Sequence, residues 1–247
     1  MRFFRNRKRR ALLSTPIPES WRQVLSMHCH HYRDLDPERR STLEDKARIV
    51  VEETEWVGCG GLDLDEHKII LIAANAALLV LENDVTLFEH VPSVLVYPSG
   101  VVVPDANRGG GMVAERMPIL GQASYRGPII LSFSDALMGS RSGHTRNVVL
   151  HEFAHALDML DGTTDGTPPM SAIRRKRWAT LFQDEYEKLR VALDAGRSTM
   201  IDPYAATNPA EFFAVLTEHY FEQSARLKAA HPPLWAALHE YYGYAFD

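Results

Sequence analysis

Apolar positions show no regular spacing over residues 1–18, which are basic at first and then broken by prolines; they predict a flexible N-terminal tail. PESWRQVLSMHCHHY (18–32) then carries helical spacing. DPERRSTLEDKARIVVEET (36–54) is a stronger helix, with Asp36 suited to the cap and Pro37 to the first turn. In HKIILIAANAALLVLEND (67–84) alanines and leucines outnumber β-branched residues, which predicts a buried helix. VPSVLVYPSG (91–100) and GQASYRGPIILSFS (121–134) predict short strands punctuated by Gly and Pro. RNVVLHEFAHALDML (146–160) returns to helical periodicity. MSAIRRKRWATLFQDEYEKLRVALDAG (170–196) follows as one long amphipathic helix or a helix pair. NPAEFFAVLTEHYFEQSARL (208–227) and PPLWAALHEYYGYAF (232–246) are the last helices.

These elements describe an α+β fold: one mixed domain over residues 19–247, mostly helical in its second half. No internal repeat or low-complexity tract divides it. At 45% hydrophobic over 247 residues, the chain has enough apolar content for a sizeable core.

Charge refines the picture at one end. The net charge of -5 excludes a generic nucleic-acid binder, yet MRFFRNRKRR holds six basic residues and no acid. Without those six the body has 21 basic against 32 acidic residues. A basic tip on an acidic body is expected to be a solvated tail. No signal-peptide core follows it. The longest apolar stretch, 69–81, has 13 residues including Asn75, too short for a span of roughly 20. Two cysteines, Cys29 and Cys59, make no disulfide framework, so a reducing cytoplasm is the expected location, without stable membrane insertion.

Chemistry concentrates in HEFAH, an H-E-x-x-H pattern made by His151, Glu152 and His155. Four residues apart on a helix, the two imidazoles sit one above the other and can reach one ion. Neutral imidazole nitrogen suits zinc, at about 2.0–2.1 Å. Glu152 lies about 100° around the helix, placed to bond a zinc-held water without ligating the metal. Zinc lowers the pKa of that water toward about 7, and Glu152 then serves as general base. Val148, Val149, Phe153, Ala154 and Leu157 seat the pattern against a core.

Catalytic zinc takes a third protein ligand. Asp161 stands ten residues after His151, but such a ligand requires a glycine turn where this chain has Asp158. Asp158 shares the face of His151 and suits an orienting role or plain surface polarity. Downstream, Glu211 sits at the third position of a helix that Asn208 and Pro209 begin, where it also fits a capping box. Glu218 and Glu222 follow on related faces and compete with it as ligands.

HEFAHALD together with TMIDPYAATNPAEFFAVLTEHYF resembles the Mlc titration factor A family of zinc peptidases. WRQVLS, VLVYPS and GPIILSFSD extend the resemblance to nearly the whole chain. The catalytic half is also similar to the catalytic domain of anthrax lethal factor. The resemblance implies a zincin-like fold, with a short mixed sheet beside an active-site helix. It implies one Zn2+ held by His151, His155 and Glu211, Glu152 as base, and Tyr204 as a phenol near the metal that hydrogen-bonds the oxyanion. It also implies aminopeptidase-type cleavage of peptides and binding of the transcriptional repressor Mlc. A substrate strand is expected to pair with an edge strand at 127–133. An aminopeptidase also needs a carboxylate for the free amine, with Asp158, Asp161 and Glu218 as candidates.

Three features stand outside this scheme. His155 and Glu211 are 56 positions apart, and the segment between them contains the long helix, an insertion suited to gating the cleft or to binding a partner. Its RRKR run (174–177) is expected to be a solvated face rather than a nucleic-acid site. MHCHHY gathers His28, Cys29, His30 and His31, but adjacent residues on a helix point about 100° apart and do not converge well; His28 and His31 can share a face, with no partner motif in view. Two other functions compete: a binding protein that sequesters a repressor without catalysis, and a structural zinc site. The second leaves Glu152 without a purpose.

Overall fold

Asp36 accepts a hydrogen bond from the Arg39 amide and Pro37 opens the first turn, so helix α4 (Pro37–Glu53) begins where the sequence places it. The computed structural model describes residues 2–83, 87–100, 121–122 and 127–246. Helix α5 (Glu66–Leu78) packs along α4 and is buried continuously from Ile70 to Leu78. It ends at Leu78, short of the expected 84. The ammonium of Lys46 takes up the freed carbonyls of Val80, Leu81 and Asn83 at 2.6–3.1 Å, the kind of pairing that stabilises a helix C-terminus.

At the N-terminus the basic stretch is not a featureless tail. Arg2–Leu12 is a helix, α1, tied down by Arg9, which donates to Glu53 and Glu89; Arg5 also pairs with Glu89. The acidic body supplies partners that a reading of local pattern cannot see. The helix expected at 18–32 breaks at Cys29 into α2 (Glu19–His28) and α3 (His30–Asp34). Cys29 is extended there, and the His30 amide leaves the helix to donate to Ser140 O at 3.0 Å.

The sheet is mixed and small, in the order β1-β2-β4-β3. Strands β1 (Glu55–Gly58), β2 (Ser93–Tyr97) and β4 (Ile129–Ser132) are parallel; β3 (Gly121–Gln122) pairs antiparallel to β4. No periodicity pointed to β1, which is four residues long. The expected edge strand is corrected: β4 is bonded on both sides, and the edges of the described sheet are β1 and, beside β4, β3. Residues 101–120 and 123–126 lie outside the described residues.

Helix α6 (Phe133–Gly139) leads from the sheet to α7 (Val148–Asp158), the helix of the H-E-x-x-H pattern. Helix α7 is packed among α5, α9 (Pro209–Glu222), β3 and β4. The chain between α7 and α9 forms one helix, α8 (Ala172–Asp194), rather than a pair. Its Trp178, Phe182, Tyr186 and Leu189 are buried. Trp178 stacks on Phe182 at 4.0 Å, and both meet Phe212 or Phe213 of α9 edge-on. The expected gate is therefore part of the core. Arg174 and Arg177 of the basic run pair with Glu240, and Arg175 with Asp161. Helices α10 (Ser224–Ala230) and α11 (Pro232–Tyr242) close the chain against α9 and α8.

A turn holds the start of α9 in place. Gly166, at φ +76°, sits under Pro209; its amide donates to Asp158 and its carbonyl accepts from Trp178 Nε1. A Cβ there would stand 2.3 Å from Pro209 O. Gly166→Ala is expected to destabilise the protein by about 2–4 kcal/mol, through strain at positive φ and displacement of the α9 N-terminus, read from urea unfolding.

Candidate metal centre

Two caps aim the site. Asn147 caps α7, its side chain accepting from the Leu150 amide at 3.3 Å. Asn208 caps α9, accepting from the Glu211 amide at 2.9 Å, with Pro209 in the first turn. The capping role considered for Glu211 is limited to its backbone, because its side chain faces α7. There Glu211 Oε2 lies 2.9 Å from His151 Nε2 and 3.4 Å from His155 Nε2. Donor atoms of His151, His155 and Glu211 all fall within 4.8 Å of one another, a set of two imidazoles and one carboxylate that suits a divalent transition ion.

Burial opposes charge on Glu211, but hydrogen bonds with His151 and His155 hold its carboxyl well below the usual carboxylate range. Burial likewise opposes charge on His151, and its bonds to Glu211 and Glu218 outweigh it, raising the imidazole well above its ordinary value. Both ring nitrogens of His151 face carboxylates, so in the metal-free protein it is an imidazolium with two donors. A metal held there would displace one of those protons.

Glu218, weighed above as a rival ligand, sits behind the histidine. Its Oε1 is 2.7 Å from His151 Nδ1, and its Oε2 accepts from the Asn147 amide at 2.6 Å. A carboxylate there fixes the ring and leaves Nε2 directed at Glu211. The signal was in the spacing. Glu211, Glu218 and Glu222 are seven and then four residues apart, one stripe of α9 at about 100° per residue.

Glu152 is buried at 4% exposure, and its Oε2 has no hydrogen-bond partner. Burial pushes its carboxyl up to about 7, with His151 and His155 pulling the other way. A carboxylate poised near neutrality suits proton transfer. Tyr204 lies on a single 3-10 turn, Pro203–Ala206, begun by Asp202 and held from α8 by Tyr186, which donates to Ala206 O. Its ring is 6.1 Å from that of His151. Tyr204 is 45% exposed, so its burial is partial; that burial and then Glu211 push the phenol up, and it stays a donor at neutral pH.

Two other carboxylates are engaged elsewhere. Asp161 accepts from Arg175 and Thr163, away from the cluster. Asp158 Oδ2 accepts from the Gly166 amide and anchors the turn below α9, while its Oδ1 is buried without a hydrogen-bond partner. With Glu218 on His151, each of the three carboxylates considered for an amine site has another task. The free cysteines, Cys29 and Cys59, are not in the cluster. No helix among the described residues is long and apolar enough to cross a membrane.

An α+β frame that sets the histidines of H-E-x-x-H against a carboxylate from a second helix has the architecture of a metallopeptidase. A family model described as glucose-regulated metallo-peptidase M90 matches residues 3–243. An uncharacterized protein of Synechocystis sp. is 35% identical over 244 residues, covering 95% of this chain and 87% of that protein. Mlc titration factor A of Cronobacter sakazakii is 33% identical over 233 residues, 92% of this chain and 86% of that protein. Mlc titration factor A of Escherichia fergusonii is 31% identical over 228 residues, 90% and 85%. The chain belongs to the glucose-regulated metallo-peptidase M90 family, and membership implies a metal ion.

Burial of Glu152 makes metal-free stability depend on pH. The folded carboxyl titrates at about 7 and the unfolded one near 4.5, so the folded state binds the extra proton between them and stability falls as pH rises through that window. From pH 4.5 to pH 7 the metal-free parent is expected to lose about 2–3 kcal/mol more than metal-free Glu152→Gln, measured by denaturant unfolding at each pH. Equal pH profiles contradict the burial argument.

Proposed function

We propose that the protein is a zinc-dependent peptidase in which His151, His155 and Glu211 hold the metal, Glu152 is the base and Tyr204 binds the oxyanion. The supporting observation is the convergence of the two imidazoles and the Glu211 carboxylate beside a buried carboxylate with an unpartnered oxygen, Glu152. When bound, zinc supplies Lewis acidity toward water and the scissile carbonyl.

The chain's own groups do the rest. Glu152, buried and poised near neutrality, accepts the proton of the attacking water and returns it to the leaving amine. Tyr204, a phenol that keeps its proton, donates a hydrogen bond to the oxygen that gains charge. Glu218 holds His151 by Nδ1, so its other nitrogen keeps its aim as charge redistributes. Strand β3, at the sheet edge and packed along α7, is the candidate for main-chain pairing with an extended substrate.

Aminopeptidase-type cleavage is the form implied by the family resemblance, and a substrate panel decides between cleaving at an end and internally. The Mlc titration factor A name borne by relatives supports a second role, binding of a repressor of the Mlc type. The competing reading, a binder without catalysis, is disfavoured because both histidines, both functional glutamates and the tyrosine are present together.

Two experiments test this. Zinc-loaded protein is expected to hydrolyse aminoacyl or internally quenched peptides. Glu152→Gln should keep its zinc and lose about 10³-fold or more in kcat/KM, and Tyr204→Phe about 10²-fold, chiefly in kcat. A zinc-loaded parent that cleaves none of them contradicts the peptidase reading. For the partner, Glu152→Gln should bind Mlc as tightly as the parent in calorimetry; no heat with either sinks that role.

A further inference from the structure

The break at Cys29 changes what the histidine-rich segment can do. His30 and His31 are the first two residues of α3, and the break sets where that short helix meets the end of α9. Here Cys29 is extended, α3 starts afresh, and the two rings lie with centroids 3.7 Å apart, tilted by 36°. Both face Glu222, the last residue of α9. His30 Nε2 lies 3.1 Å from Glu222 Oε2, and His31 Nε2 lies 3.7 Å from Oε1.

The geometry points to a second metal site, formed by His30, His31 and Glu222, that takes a divalent transition ion such as Zn2+. Three observations carry it. Donor atoms of the three residues lie within 4.8 Å of one another. The carboxylate is oriented from outside, with Asn147 Nδ2 donating to Glu222 Oε1 at 3.0 Å, as residues around metal-bound carboxylates commonly do. Fully buried His31 bonds through Nε2 to the Phe221 carbonyl at 3.3 Å, which makes Nε2 the donor and leaves the Nδ1 lone pair in the interior without a partner. A buried imidazole with one nitrogen fixed by a carbonyl and the other unused is the usual state of a histidine ready to ligate. His30 is 12% exposed and gives the ion its way in; Glu222, at 1%, is the buried floor.

The ion would act as a clamp rather than a catalyst. It joins the α2–α3 break to the end of the helix carrying Glu211 and Glu218. Asn147 touches both carboxylate systems, Glu222 through its side chain and Glu218 through its amide. The acid beside this cluster is Asp34, 3.8 Å from His30 Nδ1; it is exposed, unlike the buried Glu152 beside the first. The inference does not rest on the peptidase reading, because its donors are different residues.

The test is metal counting. Metal-free protein is titrated with Zn2+ against a chromophoric chelator, and bound zinc is counted after gel filtration. The parent is expected to bind two ions per chain, Glu211→Gln one, His30→Ala one, and the double variant none. Glu222→Gln, which keeps the shape of the side chain, should match His30→Ala, with folding of each variant checked by circular dichroism. Thermal unfolding of Glu211→Gln should still shift upward with Zn2+, and that shift should vanish in the double variant. One ion in the parent, none in Glu211→Gln and one in His30→Ala overturns the second site. Two ions in both His30→Ala and Glu222→Gln also overturns this assignment. One ion that survives Glu211→Gln but is lost in His30→Ala supports the second site and sinks the metal reading of the first cluster instead.

Discussion

Charge buried between α7 and α9 must be paired, and that requirement organises the molecule. Glu211, Glu218 and Glu222 run down one stripe of α9 and face His151, the amide of Asn147 and His30. A carboxylate in a protein interior is tolerated only with partners that replace its water. Each of the three finds nitrogen donors from elements on the other side of the interface. The relative position of α7 and α9 is thus set by polar pairing as much as by apolar packing, and the same pairing brings two imidazoles against a third donor.

The surrounding elements hold that interface in register. Helix α8, long and apparently inserted, lays Trp178 and Phe182 against the phenylalanines of α9. Its Tyr186 fixes the turn that carries Tyr204. Asp158 and Gly166 close the turn beneath the first residues of α9, so that Glu211 starts its helix at a fixed height on α7. Glu152, like Asp158, departs from this rule. It is buried with one oxygen unpaired, a local disadvantage for folding that keeps its carboxyl near neutrality. Proteins concentrate such violations of the packing rules where chemistry is done.

Much of the fold was legible because helix signals are local. Caps at Asp36 and Asn208, prolines at first turns and the apolar spacing of α4, α7 and α9 all act within a few residues. Sheet details were not local. β1 has four residues and no periodicity, and β4 passed for an edge strand because pairing partners are invisible in a single segment. The basic N-terminus misled for the same reason, since Glu53 and Glu89, which dock α1, are far away in the chain.

By itself the sequence determined the α+β class, the helix bearing His151, Glu152 and His155, and the helix bearing the candidate third donor. Helical geometry fixes i, i+4 relations with no help from the rest of the chain. Spacing alone left Glu211 and Glu218 unresolved, and the tertiary structure separates them, because the two share a face and differ in which nitrogen of His151 they meet. Only it showed Asp161 turned to Arg175, Asp158 turned to Gly166, and His30 beside His31 at Glu222. Those outcomes depend on where separate helices cross and where α2 breaks, and long-range packing and pairing decide both.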